Sequence, residues 1–140
     1  MSFHDAVKIA LLLGSDTVVL QHRDKDAPTN PGMYTFFGGS IENGEDGRTA
    51  AARELREETS LVFDDDALRP IAAYPREGGG TMSVFTLLLP SDDFEVYEGV
   101  GKFAMNLQDV LMSPFVTAGT KIAARHIIET RKETIDVSAN

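Results

Sequence analysis

The sequence predicts an α/β protein. Three features point there: strand-like segments arranged in pairs about glycine-containing turns, a mid-chain run of strong helix formers, and an amphipathic segment near the C-terminus. The 140 residues read as one domain, 1–140, long enough to bury a hydrophobic core. With 42% hydrophobic and 25% charged residues, the composition is that of a globular chain rather than a disordered one.

Each element has a local reason. Residues 7–13 and 17–23 are β-branched or leucine-rich and flank Gly14-Ser15-Asp16, so they read as strand, tight turn and strand. Residues 24–32 contain Pro28, Asn30, Pro31 and Gly32, which suit neither a ladder nor a helix, and form the first candidate loop at a site. Residues 34–37 give a short aromatic strand that should end at Gly38-Gly39. The run 48–59, RTAAARELREET, is the strongest helix, with Ala51, Ala52 and Leu55 supplying its apolar stripe. Asp64, Asp65 and Asp66 read as a surface loop. Residues 68–76 and 82–89 flank Gly78-Gly79-Gly80 as a second hairpin. Residues 94–97 alternate apolar with acidic and predict another strand; 102–105 return to the sheet, and 107–112 make one helical turn before Pro114. Residues 120–133 predict an amphipathic helix with Ile122, Ala123, His126 and Ile127 near one face, followed by a frayed tail over 137–140.

The charge balance narrows the partners. Thirteen Lys and Arg stand against 22 Asp and Glu, a net charge of -9. Such a surface repels a polyphosphate backbone, so nucleic acid is not an expected partner, and a phosphate ligand would need cations as mediators. The absence of cysteine excludes disulfides, thiolate nucleophiles and Cys-ligated metals. No basic leader precedes the apolar residues 6–13, and strictly apolar runs such as 9–13 are far short of the roughly 20 residues that span a bilayer. The expectation is a cytoplasmic protein with no membrane partner.

Glu54, Glu57 and Glu58 are spaced i, i+3 and i+4, which puts three carboxylates on one helical face. Like charges so placed repel, and the arrangement is either a solvated acidic face or a site for a hard divalent cation. The preceding segment favours a site. Gly38 and Gly39 follow a strand and lead into a loop with Glu42, Gly44, Glu45 and Gly47, where the backbone can approach a ligand and the helix N-terminus lies close by.

Residues 39–61, GSIENGEDGRTAAARELREETSL, resemble the Nudix box: Gly39, Glu45, Arg53, Glu54, Leu55, Glu57, Glu58 and Leu61 all fall at the expected positions. Six invariant letters at fixed spacing, at roughly 6% usage each, arise by chance about once in ten million positions. One position departs, because the box glycine is Ser60. A glycine just past a helix usually adopts a left-handed cap, and a serine there would cost about 1 kcal/mol or force another ending.

The resemblance implies a Nudix-type α/β/α sandwich around a mixed β-sheet. It implies Mg2+ or Mn2+ as cofactor, with Glu57 and Glu58 as principal ligands and the Gly38 carbonyl as a backbone ligand. Glu54 would serve as metal-site or general-base glutamate, while Arg53 and Glu45 would hold loop against helix. Some relatives use a later glutamate as ligand or base, for which Glu98 is the candidate here and Glu95 the substitute. The implied activity is pyrophosphohydrolysis of a small-molecule nucleoside diphosphate linked to another moiety, such as a nucleoside triphosphate, nucleotide sugar or ADP-ribose. The alternative is a regulatory module of the same fold that binds a nucleotide without turning it over. An isomerase of the same fold is set aside because it relies on a cysteine.

The box reads only the diphosphate. Phe36, Phe37, Tyr74, Phe85, Tyr97 and Phe115 are either core residues or base-stacking platforms, with burial the commoner fate. Phe37 replaces a proline often found in relatives acting on nucleoside triphosphates. Arg23 and Lys25 lie near the first loop, where a phosphate or ribose could meet them, and His4, His22 and His126 have no ligand spacing. Nothing distinguishes a monomer from a homodimer.

Overall fold

A computed structural model describes residues 4–139, with side chains described through Arg131. Its strands are β1 (Ala6–Leu13), β2 (Thr17–His22), β3 (Tyr34–Thr35), β4 (Phe37–Ser40), β5 (Arg69–Pro75), β6 (Thr81–Leu89) and β7 (Gly101–Asn106). Its helices are α1 (Gly47–Glu58), α2 (Leu107–Met112) and α3 (Ala118–Ala139), with a 3-10 turn at Asp65–Ala67. One mixed sheet runs β3-β2-β1-β6-β5, in which β1 and β6 are parallel; β4 also pairs with β1, and β7 with β2.

The period-2 alternation of β1 sets the layers. Val7, Ile9 and Leu11 face α1 in a cluster with Phe37, Ala51, Leu55 and Phe85. Ala6, Ala10 and Leu12 face the other way, toward Val110 of α2 and Ala123, Ala124 and Ile127 of α3. The result is an α/β/α sandwich around a mixed sheet, as expected. In α3 the buried stripe is Ala123, Ala124 and Ile127, while Ile122 is exposed and His126 stacks on Tyr74 with ring centroids 4.5 Å apart. The helix also runs past the expected end, through Ala139, so 137–139 are helical rather than a tail; Asn140 lies outside the described residues.

Residues 34–40 depart from the sequence reading. The strand does not end at Gly38-Gly39; it breaks at Phe36 into two pieces that pair with different neighbours. β1 and β2 pair only from Leu11↔Val19 to the turn. Beyond that they diverge, and the segment wedges between them, Thr35 against Gln21 and Phe37 against Ile9. The glycines continue β4 because a side chain would not fit: a Cβ on Gly38 would lie 2.1 Å from the Val7 carbonyl oxygen, and its φ is +152°.

One further expectation is corrected. Residues 94–97 form no strand; Val96 makes a single bridge to Thr59, and Lys102 of β7 holds the segment by donating to the carbonyls of Asp92 and Phe94. Of the two outcomes open at Ser60, the structure takes the other helix ending rather than a left-handed cap. The helix ends at Thr59 with φ -140° and ψ 165°, an extended exit that any residue adopts.

Candidate active site

The mouth of the wedge between β1 and β2 opens into a cleft of about 560 Å³. Gly38, Gly39, Glu54, Glu58 and Glu98 line it together with Lys8, Arg23 and Arg76.

The acidic part depends on α1 and its capping. Asp46 accepts from the Thr49 N–H at 2.8 Å, which starts the helix directly after the glycine loop. Arg53, next to Glu54 and one turn before Glu57, then clamps the loop to the helix. It donates to both oxygens of Glu45, at 2.8 and 2.9 Å, and to the Ser40 carbonyl at 3.0 Å. This bidentate pairing holds the Glu45 carboxyl below the usual carboxylate range and the guanidinium above its own. Glu45 in turn accepts from the Glu42 N–H at 2.9 Å. A third arm of Arg53 reaches Glu54 at 3.2 Å and Glu57 at 3.3 Å.

The three helix carboxylates differ in surroundings. Glu57 is largely exposed. Glu54 packs against β4 so closely that a Cβ on Gly39 would come within 2.3 Å of its Oε1, and desolvation raises its pKa against the pull of Arg53. Glu58 is 5% exposed, and its Oε2 is a buried oxygen without a hydrogen-bond partner among the described residues. Burial first, then the nearby carboxylates of Glu54 and Glu98, push its pKa up to about 8. A buried, unpartnered carboxylate oxygen among like charges is the arrangement that a hard cation relieves. No three carboxylates or imidazoles among the described residues form a preformed metal cage, and Arg53 bonds both Glu54 and Glu57.

Glu98 joins this group although it lies on an exposed loop. The extended exit from α1 fixes its approach: Tyr97 N–H donates to the Glu58 carbonyl, and Ser60 exchanges bonds with Glu95. Gln21 of β2 donates to the Glu98 carbonyl at 3.3 Å. Glu95 does not line the cleft.

Matching against family descriptions decides the relationship: a NUDIX domain spans residues 2–100. This chain belongs to the NUDIX family. Solved structures share the fold of this NUDIX chain at low identity. A mutT/nudix family protein from Listeria innocua superposes with a TM-score of 0.75 at 16% identity, over 98% of this chain and 99% of that one. A MutT protein from Methanosarcina mazei Go1 gives 0.74 at 18% identity, over 94% and 95%. A MutT NUDIX hydrolase from Burkholderia pseudomallei gives 0.71 at 20% identity, over 90% and 98%. Comparison with curated proteins gives no match.

The remaining sequence candidates are distributed as their chemistry suggests. Phe36, Phe37 and Phe85 are core, while Tyr97 and Phe115 are exposed and line no part of the cleft. His22 stacks on Tyr34 at 4.5 Å. Arg23 lines the cleft; Lys25 is exposed and does not. Sequence reasoning missed Lys8, Gln21 and Arg76. Lys8 carried a visible signal, a lone charge in an otherwise apolar strand on the face shared by Ala6 and Ala10.

No helix among the described residues is long and apolar enough to cross a membrane.

Proposed function

We propose that this NUDIX protein hydrolyses the diphosphate bond of a small nucleoside diphosphate derivative, using Mg2+ or Mn2+. The observation that carries the reading is Glu58, buried with an unpartnered oxygen among Glu54 and Glu98 at the mouth of a cleft. The donor set consists of hard oxygens, which suits these cations and no soft metal. Glu57, Glu58 and Glu54 would hold the metal, with the Gly38 carbonyl as a backbone donor. A bound divalent ion supplies charge neutralisation for the diphosphate oxygens and a more acidic water.

The protein's own residues do the rest. Arg53 orients the Glu54 carboxylate and ties the loop of Glu45 to α1, so the acidic part of the cleft is fixed before substrate arrives. Glu54 and Glu98 are the groups available to accept the proton of the attacking water. Arg23 lines the same cleft and is a cation available to the diphosphate.

The test is phosphate or pyrophosphate release from canonical and oxidised nucleoside triphosphates, ADP-ribose, nucleotide sugars and dinucleoside polyphosphates, with Mg2+ or Mn2+. Turnover that requires metal and falls by orders of magnitude in Glu57→Gln and Glu58→Gln is the expected result. Nucleotide binding without turnover on any member would instead establish a regulatory module.

A further inference from the structure

The two edges of the sheet are finished differently. β5, the edge beyond β6, carries Pro70 and Pro75, an irregularity in register between Pro70 and Ala72, and the charge of Arg69. Proline, bulge and charge all discourage edge-to-edge pairing. β7 forms the opposite edge, beyond β2, and has neither of the first two: it pairs over six residues without a register shift, and its sequence GKFAMN contains no proline. Its one charge is drawn aside, since the Lys102 ammonium donates to the carbonyls of Asp92 and Phe94 and lies over the Phe94 ring. Every second residue of an antiparallel strand directs its N–H and C=O away from its neighbour. Among the described residues, β7 makes no backbone bond to any strand but β2, so this outward row is open to another strand.

The chemistry of the edge selects its occupant. In a chain of net charge -9, residues 99–106 contain no carboxylate, so two copies can approach along this stretch without setting acid against acid. The exposed side chains beside it are apolar. Val100 leads into the strand and Phe103 lies on it, its ring 5.0 Å from that of Tyr34, whose N–H donates to the carbonyl of the exposed Phe115. The strand is also complementary to itself. When two copies pair antiparallel about a two-fold axis at Ala104, that residue opposes its own copy, Phe103 opposes Met105 of the second copy, and Lys102 opposes its Asn106. Phe103 and Met105 share the face of Leu20 and Val18, so on that face an aromatic ring meets a thioether twice. No like charges are opposed, and the small side chain of Ala104 leaves room at the axis.

We infer that β7 is the interface of a homodimer, in which two copies join edge to edge about Ala104 into one continuous sheet. This goes beyond the proposed hydrolase activity and does not depend on it.

Sedimentation of the intact protein across micromolar concentrations reads the association directly, at a salt concentration of about 0.15 M where charges are screened beyond about 8 Å. The unaltered protein should pass from monomer to dimer. Ala104→Glu sets two carboxylates against each other at the axis and should raise the dimer Kd about tenfold or more, as should Ala104→Lys with two ammonium groups. Mixed together, the two variants should dimerise again, because each then meets the opposite charge. Ala73→Glu, at an exposed position of the β5 edge, adds the same charge elsewhere and should leave the dimer Kd unchanged. Circular dichroism and Tm establish that each variant is folded; should Ala104→Glu fail to fold, Ala104→Lys carries the test. A protein that stays monomeric at every concentration overturns the inference. So does a dimer that the Ala104 variants leave intact, or that Ala73→Glu weakens as much as they do. A dimer broken by both Ala104 variants and not restored by mixing them overturns the axis at Ala104.

Discussion

Ser60 stands where the box has glycine, and its hydroxyl is in use. Since the chain leaves α1 in extended conformation at Thr59, no left-handed residue is needed there. Ser60 Oγ instead accepts from the Glu95 N–H at 2.8 Å, and the Ser60 N–H donates to the Glu95 carbonyl at 3.0 Å. Ser60→Gly should therefore lower stability by about 1 kcal/mol, a few degrees in Tm, rather than relieve a strained cap. Ser60→Thr keeps the acceptor and should melt near the wild type; a higher Tm in the glycine variant would contradict this bonding. Glu58 is the second residue whose setting dictates a sign. Its folded-state pKa, about 8, lies above the ordinary value of 4.5, so between those values the folded protein binds more protons than the unfolded chain. Stability of the metal-free protein should fall as pH rises through that window. Glu58→Gln should flatten this dependence and abolish the rise in Tm on adding Mg2+, which thermal melts from pH 5 to 8 would show.

At the scale of elements, β4 couples fold to site through two adjacent glycines with different neighbours. A Cβ at Gly38 would meet the rigid backbone of Val7, whereas one at Gly39 would meet the tip of the Glu54 side chain. Gly38→Ala should thus destabilise by roughly 1–3 kcal/mol or more. Gly39→Ala should cost little stability yet reduce turnover strongly, because the carboxylate swings away. Melting curves and kcat for the two variants check the contrast, and equal losses of Tm would refute it. This segment also marks the limit of what the sequence carries. The β1 alternation, the helix of RTAAARELREET and the Arg53–Glu45 spacing are local patterns, visible in a single stretch of chain. The split of 34–40 into β3 and β4 is not local, because it depends on where β1 and β2 stop pairing. The same holds for 94–97, whose alternation suits a strand but whose one bridge partner, Thr59, was already committed to the end of α1. Within the cleft, Glu54 and Glu58 could be named from the box and Glu98 from the wider resemblance, while Lys8 and Arg76 meet only once β1 and β5 are placed in the sheet.

For the whole molecule, the layout of charge shows where folding carries an electrostatic penalty. The protein carries a net charge of -9, yet its cleft is lined by the cations Lys8, Arg23 and Arg76 as well as by carboxylates. Lys8 bears the clearest penalty, since it occupies the face of β1 that otherwise feeds the α2–α3 core. Burial, then Arg76 and Arg23, lower its pKa from 10.5 to about 8, with Glu58 pulling weakly the other way. Between pH 8 and 10.5 the unfolded chain therefore binds more protons at this site than the folded one, and the Lys8 contribution makes stability rise with pH. Below pH 8 the penalty is present in full. Lys8→Met, close in length and without charge, should raise Tm at pH 7 and remove the alkaline gain, the pattern of a residue kept for binding rather than for folding. Melts of both proteins from pH 7 to 10.5 test this, and a lower Tm for Lys8→Met across that range would mean that the ammonium supports the fold.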